Sequence, residues 1–176
     1  MFFLRVVKQI RLNKSYFLQA INLNKYNAKV WKEYGDALLL TENINEAKRA
    51  YKKAVNIDPY FATAYNKIGE LELYKNSDLQ SATMNFLKAI QYNPDHVFAM
   101  HNMANIAIIE KDFDMAENYS KRVIAYDPNF SASYGTLATV SLQRGKKKEA
   151  KAFLHMLISL EPNNKQALSM LQGLNN

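Results

Sequence analysis

The sequence predicts an all-α protein of four helix-turn-helix repeats, with a capping helix at each end. Three observations predict it. The 176 residues include only four prolines, Pro59, Pro94, Pro128 and Pro162, which stand 35, 34 and 34 residues apart. Each closes the same kind of run: Asn56-Ile57-Asp58-Pro59, Gln91-Tyr92-Asn93-Pro94, Ala125-Tyr126-Asp127-Pro128 and Ser159-Leu160-Glu161-Pro162. Between the prolines, apolar residues recur at helical spacing. A fixed period of this length marks one structural unit used repeatedly, each unit burying the face of its neighbour.

Residues 1–27 keep the register without its punctuation. Carried backwards, the repeat places Leu4, Ile10, Phe17 and Ala20 on core positions, with Lys25 where proline stands in later units. At 100° per residue, Phe2, Phe3, Val6, Val7, Ile10, Phe17 and Ile21 share one side, and Arg5, Lys8 and Arg11 lie largely opposite. Two readings stay open. The segment is an N-terminal cap or partial repeat, or it is a basic amphipathic helix for an anionic membrane or for targeting. In the second case residues 1–22 would make a peripheral membrane contact.

The first full unit spans 28–61. Trp31, Tyr34 and Leu38 line one face of a helix over about 28–41, and Ala47, Tyr51 and Ala54 do so for a second over about 45–57. Gly35 and Ala47 are small enough to let the two helices approach, and the rings of Trp31 and Tyr51 are expected to fill the space beside them. Thr41-Glu42-Asn43 supplies the turn, and Pro59 stops the second helix. The second unit, 62–96, repeats this with Tyr65, Ile68-Gly69, Ala82, Phe86 and Ala89, plus one extra residue near Lys75-Asn76-Ser77-Asp78. Glu72 stands there at a position that is usually apolar. The third unit, 97–130, has Met100, Met103-Ala104, Ala107, Ala116 and Val123. In it Ser120 replaces an aromatic residue, which predicts looser packing. The fourth, 131–163, has Tyr134, Leu137-Ala138, Ala150, Leu154 and Leu157. A last helix over about 164–174, within a segment 164–176, carries Leu168, Leu171 and Leu174 and reads as the C-terminal cap.

On these residues the chain resembles the tetratricopeptide repeat, whose period is about 34 residues. The match covers four aligned copies and nearly the whole chain. The resemblance implies a right-handed α-α superhelix, a solenoid whose first helices line a concave wall that contacts a partner. The residues it places on that wall are Lys29, Lys32 and Asp36 with Leu39; Asn66 and Glu70 with Leu73; Phe98, His101, Asn102, Asn105 and Ile109; and Ala132, Thr136, Thr139 and Gln143. Asparagine both donates and accepts, so Asn66, Asn102 and Asn105 suit the backbone of an extended peptide. Phe98 and Ile109 offer apolar contact, and Lys29 and Lys32 could meet acidic side chains. Some family members clamp the C-terminal carboxylate of a chaperone tail. Lys32 matches one clamp position, but Asp36 would repel the carboxylate and Phe98 and Asn102 replace a basic pair, so that ligand is not expected.

Charge and chemistry narrow the function. Net charge is +7, and residues 1–32 hold seven basic and no acidic side chains before Glu33. There is no cysteine, hence no disulfide framework and no thiolate ligand or nucleophile. His96, His101 and His155 are not spaced as metal ligands on one helix face. Phosphate-loop, dinucleotide, zinc-protease and nucleophile-elbow motifs are absent. No enzyme activity, catalytic residue, cofactor or metal is expected. Lys146-Lys147-Lys148 lacks neighbouring aromatics to stack bases, so nucleic acid is not the expected partner. No apolar stretch reaches transmembrane length and the start does not read as a secretory signal, so a cytoplasmic protein is expected, with membrane association or organelle targeting as the alternative. The expected function is a scaffold for a protein or peptide ligand. The alternatives are an assembly factor docked on a membrane by the first helix, or the repeat portion of a larger enzyme.

Overall fold

The computed structural model describes residues 14–174, and over them the chain is all-α, with no strand among the described residues. Helix α1 is described over residues 14–23. The others are α2 Ala28–Leu39, α3 Ile44–Ile57, α4 Ala62–Tyr74, α5 Leu79–Tyr92, α6 Val97–Ile109, α7 Phe113–Tyr126, α8 Ser131–Gln143, α9 Lys147–Leu160 and α10 Lys165–Gly173. The roles expected for Phe2, Phe3, Leu4, Arg5, Val6, Val7, Lys8, Ile10 and Arg11 lie outside the described residues.

The prolines end helices through the residue before them. Asp58, Asn93, Asp127 and Glu161 all leave the helical region, with φ between −122° and −139° and ψ between 80° and 96°. The proline ring clashes with a helical backbone at the preceding residue, so the helix stops there. The turn inside each hairpin has its own recurrent device. Glu42, Ser77, Lys111 and Gly145 have φ of 58°, 54°, 60° and 71°. Only the fourth is glycine, the residue that takes this conformation freely.

The chain divides into two compact units, Met1–Pro94 and Asp95–Asn176. In the first, α2 pairs with α3, α4 with α5, and α3 with α4. Its main core gathers Ile21, Tyr34, Leu38, Ala47, Tyr51, Ile68 and Leu71, with Phe17 of α1 packed against it. Close approach rests on two glycines. A Cβ on Gly35 would stand 2.5 Å from the Tyr51 ring, and one on Gly69 would stand 2.6 Å from the Phe86 ring. Tyr51 and Phe86 fill the space that the missing methyls leave. Trp31 packs against the same core as expected but is only half-buried, with its indole N–H donating to Lys25 O at 2.9 Å. Glu72 is buried as a charge but is not alone: Lys48 Nζ lies 2.6 Å away and Asn76 Nδ2 donates at 2.6 Å. Burial pushes its carboxyl up, but these two donors outweigh that and hold it below its ordinary value.

In the second unit α6 pairs with α7, α8 with α9, α7 and α6 with α8, and α10 with α9. Ala116, Ser120 and Val123 of α7 are fully buried, and the Ser120 hydroxyl has no hydrogen-bond partner among the described residues. The register sets which sizes face one another. Where the first unit sets Gly35 opposite Tyr51 and Gly69 opposite Phe86, this one has Ala104 with Ser120 and Ala138 with Leu154. A larger residue on the first helix accompanies a smaller one on the second. On α10 the buried residue is Ala167, while Leu168 of the expected apolar face is exposed; Leu171 and Leu174 pack on the core. Arg144, in the α8–α9 turn, pairs with Glu117 and Asp114 of α7.

Candidate partner-binding site

In α2, α4 and α6, two side chains one turn apart bond to each other at the same register, and in α8 a side chain bonds the backbone there. Lys32 Nζ lies 3.1 Å from Asp36 Oδ2, and the other Asp36 oxygen accepts from Tyr51 Oη at 2.7 Å. Asn66 Nδ2 donates to Glu70 Oε1 at 2.7 Å, and Lys67 holds the second Glu70 oxygen at 2.8 Å. His101 Nε2 and Asn105 Nδ2 are 3.2 Å apart. Thr139 Oγ1 donates to Gly135 O at 3.0 Å. Burial also sorts the candidates. Asn66 and Asn102 are only 2% and 6% exposed, so their amides are not open to a peptide backbone in the way the sequence suggested. Phe98 and Ile109 are 57% and 56% exposed, and Lys29 is exposed too.

The second unit contains a cleft of about 380 Å³. His101 and Asn105 of α6 form one wall, and Ala132, Gly135, Thr136 and Thr139 of α8 form the next. Leu157 of α9 and Gln166, Ala167 and Met170 of α10 complete it. Phe98, Asn102 and Ile109 are not among its lining residues. Lys29, Lys32, Asp36, Asn66 and Glu70 belong to the first unit. The sequence reading missed α10's contribution, although the register carried it: 34 residues beyond Ala132 and Thr136 stand Gln166 and Met170. The last helix has the register of a first helix, not merely a cap.

The cleft is nearly uncharged. Burial pushes the His101 imidazole below its ordinary value, which keeps it neutral at pH 7. Phe130 backs that ring, with centroids 5.1 Å apart, and Phe98 meets Phe130 edge-on at 5.6 Å. Glu161 supplies the one carboxylate of the lining. It accepts from Ser131 Oγ and from Asn164 Nδ2, and these bonds lower its pKa. Hydroxyl, amide and thioether groups thus share one concave wall, a lining that can bond a backbone and seat an apolar side chain. Among the described residues, no three His, Asp or Glu side chains gather as metal ligands, and no helix is long and apolar enough to cross a membrane.

Helical hairpins on a 34-residue register, with such a cleft beside their first helices, define a repeat protein of the protein-interaction kind. Tetratricopeptide-repeat profiles match residues 28–61 and 107–174, and the chain belongs to that family. Among curated proteins it is similar to the protein O-mannosyl-transferase TMTC3 of mouse and human, at 24% and 25% identity over 84% of this chain. It is also similar to anaphase-promoting complex subunit 3 of Schizosaccharomyces pombe, at 24% identity over 64% of the chain. It spans only 18% of the length of the TMTC3 proteins and 17% of the latter. Among solved structures, PilW, a type IV pilus biogenesis factor, matches with a TM-score of 0.79 at 19% identity, covering 97% of this chain and 84% of that one. YrrB, described as having an unusual peptide-binding site, matches at 0.72 and 18%, covering 97% and 87%. These likenesses show the tetratricopeptide fold.

Proposed function

We propose that the chain is a non-catalytic scaffold and that its second unit holds an extended segment of a partner protein. The observation that carries this reading is the cleft lined by His101, Asn105, Thr136 and Thr139. Its amides and hydroxyls suit a peptide backbone, and Met170 and Leu157 suit an apolar side chain. The test is to select peptides on the full chain from a random library and measure their affinity for Ala132→Arg, whose long side chain enters the cleft from its exposed rim. Affinity should fall about tenfold or more, the scale of losing a central contact. Unchanged affinity places the peptide elsewhere.

A second reading is favoured by the TMTC3 likeness. On it, the chain is the partner-holding portion of a larger protein whose transferase elements lie outside these 176 residues. Mannosyl transfer by the purified chain alone would overturn the non-catalytic reading.

A further inference from the structure

The first unit holds a second opening, and the next repeat shows what would fill it. A cleft of about 540 Å³ lies between the α1–α2 turn and the end of α3, lined by Lys25, Tyr26, Lys53, Asn56 and Ile57. One repeat later the same register reads Pro59, Tyr60, Lys88, Gln91 and Tyr92. There the space is occupied. The Tyr92 ring lies 5.3 Å from Tyr60 and 5.6 Å from Tyr65, and Lys88 Nζ sits 5.2 Å from the Tyr65 ring. In the first hairpin Ile57 replaces Tyr92, so the central ring is missing. Of the flanking rings, Tyr26 lines the cleft and is 72% exposed, whereas Trp31, at the register of Tyr65, packs against the core.

Charge at this opening is also unmatched. Lys25 replaces a proline that elsewhere follows Asp, Asn or Glu, and here it follows Asn24. Lys25 Nζ lies over the Tyr26 ring, 5.2 Å from its centroid, but neither Lys25 nor Lys53 makes an ion pair among the described residues, and no carboxylate lines the cleft. Lys25 follows the end of α1, where the helix dipole favours a cation but supplies only a fraction of a charge, whereas Lys53 lies before the last turn of α3. Residues Met1–Pro94 hold 14 basic against 8 acidic side chains, whereas Asp95–Asn176 hold 9 against 8.

We propose that this cleft is a second docking site, whose occupant is an acidic segment of a partner protein presenting one aromatic side chain. The aromatic ring takes the place that Tyr92 fills in the next repeat. It stacks on Tyr26, while flanking carboxylates pair with Lys25 and Lys53. The Asn56 amide is placed to bond the segment's backbone. A nucleic acid fits less well, because a single exposed ring, shared with Lys25, and two lysines make no continuous track.

The experiment titrates the full chain with fluorescein-labelled Glu-Glu-Tyr-Glu-Glu and, in parallel, Glu-Glu-Ala-Glu-Glu and an oligothymidylate. Fluorescence of Trp31, the single tryptophan, serves as a second readout. The tyrosine peptide should bind most tightly. Ile57→Tyr, which rebuilds the ring of the next repeat, should abolish binding. Lys25→Glu and Lys53→Glu should each weaken it about fivefold, the scale of a partly solvated ion pair. Lys52→Glu, outside the cleft lining, and Ala132→Arg, in the other unit, should leave it unchanged. Circular dichroism checks that each variant is folded. Equal binding of the alanine peptide, equal loss with Lys52→Glu, or tighter binding of the oligonucleotide overturns the proposal. Loss with Ala132→Arg alone assigns the peptide to the second unit's cleft and overturns it as well.

Discussion

The glycines of the first helices in this chain are not equivalent, because their places and neighbours differ. Gly35 and Gly69 each face an aromatic ring closer than any Cβ tolerates, whereas a Cβ on Gly135 would meet only Leu157 Cδ2 at an ordinary 3.5 Å. Gly35→Ala should therefore destabilise the protein by about 1–2 kcal/mol, since overpacking exceeds the gain in helix propensity. Gly135→Ala should stabilise it by about 0.5–1 kcal/mol, because only the propensity gain remains. Urea denaturation of both variants distinguishes the two signs. The sequence carried the first half of this: a small residue before a large ring at fixed spacing is visible without coordinates. It did not carry the half-burial of Trp31, whose indole bond to the Lys25 carbonyl depends on how one turn is placed. Nor did it show that Asn66 is already bonded to Glu70. A side chain four residues away satisfies it, and helical period alone cannot tell a satisfied amide from an open one.

At the scale of elements, turns and helix ends carry the repeat. The prolines told where each second helix stops because the clash with the preceding residue is local and needs no tertiary partner. Cross-helix charge is different. Arg144 reaches from the α8–α9 turn to Glu117 on α7, and hydrogen bonds from Lys121 and then Arg144 hold the Glu117 carboxyl down from 4.5 to about 2. A carboxyl with a lowered folded-state pKa stabilises the fold fully above the unfolded value. That contribution is lost as pH falls from about 4.5 toward 2. Arg144→Gln should shrink the fall in thermal midpoint across that window and leave the neutral-pH trend with pH unaltered. Thermal melts of parent and variant from pH 2 to 7 test this. The partner-binding cleft was partly legible for a related reason. Its α6 and α8 residues follow from register, but α10 read as a cap on the strength of Leu168, Leu171 and Leu174, and its Gln166 and Met170 went uncounted.

For the whole molecule, repeat contacts are made chiefly between neighbours, so a disturbance should stay near its origin. Hydrogen exchange of the Gly35→Ala protein should quicken in α2, α3 and α4, which share its core, while amides of α8 and α9 keep their rates. Equal acceleration throughout would mean that the chain unfolds as one cooperative body. The fold class was readable at this scale from four prolines alone, since one period multiplies a weak local signal four times. The uneven charge between the two units was readable too, but its use was not. Only the coordinates set the open cleft beside Lys25 against its filled counterpart around Tyr92.

The reciprocal sizes across each hairpin also constrain how such a chain can be rearranged in evolution or in the laboratory. Ala104 of α6 set against Tyr51 of α3 would collide, and Gly35 of α2 set against Ser120 of α7 would leave a void. The transferable module is consequently the matched pair of helices. Chimaeras cut at the prolines should therefore keep their stability in thermal melts, and those cut at the left-handed turns should lose it.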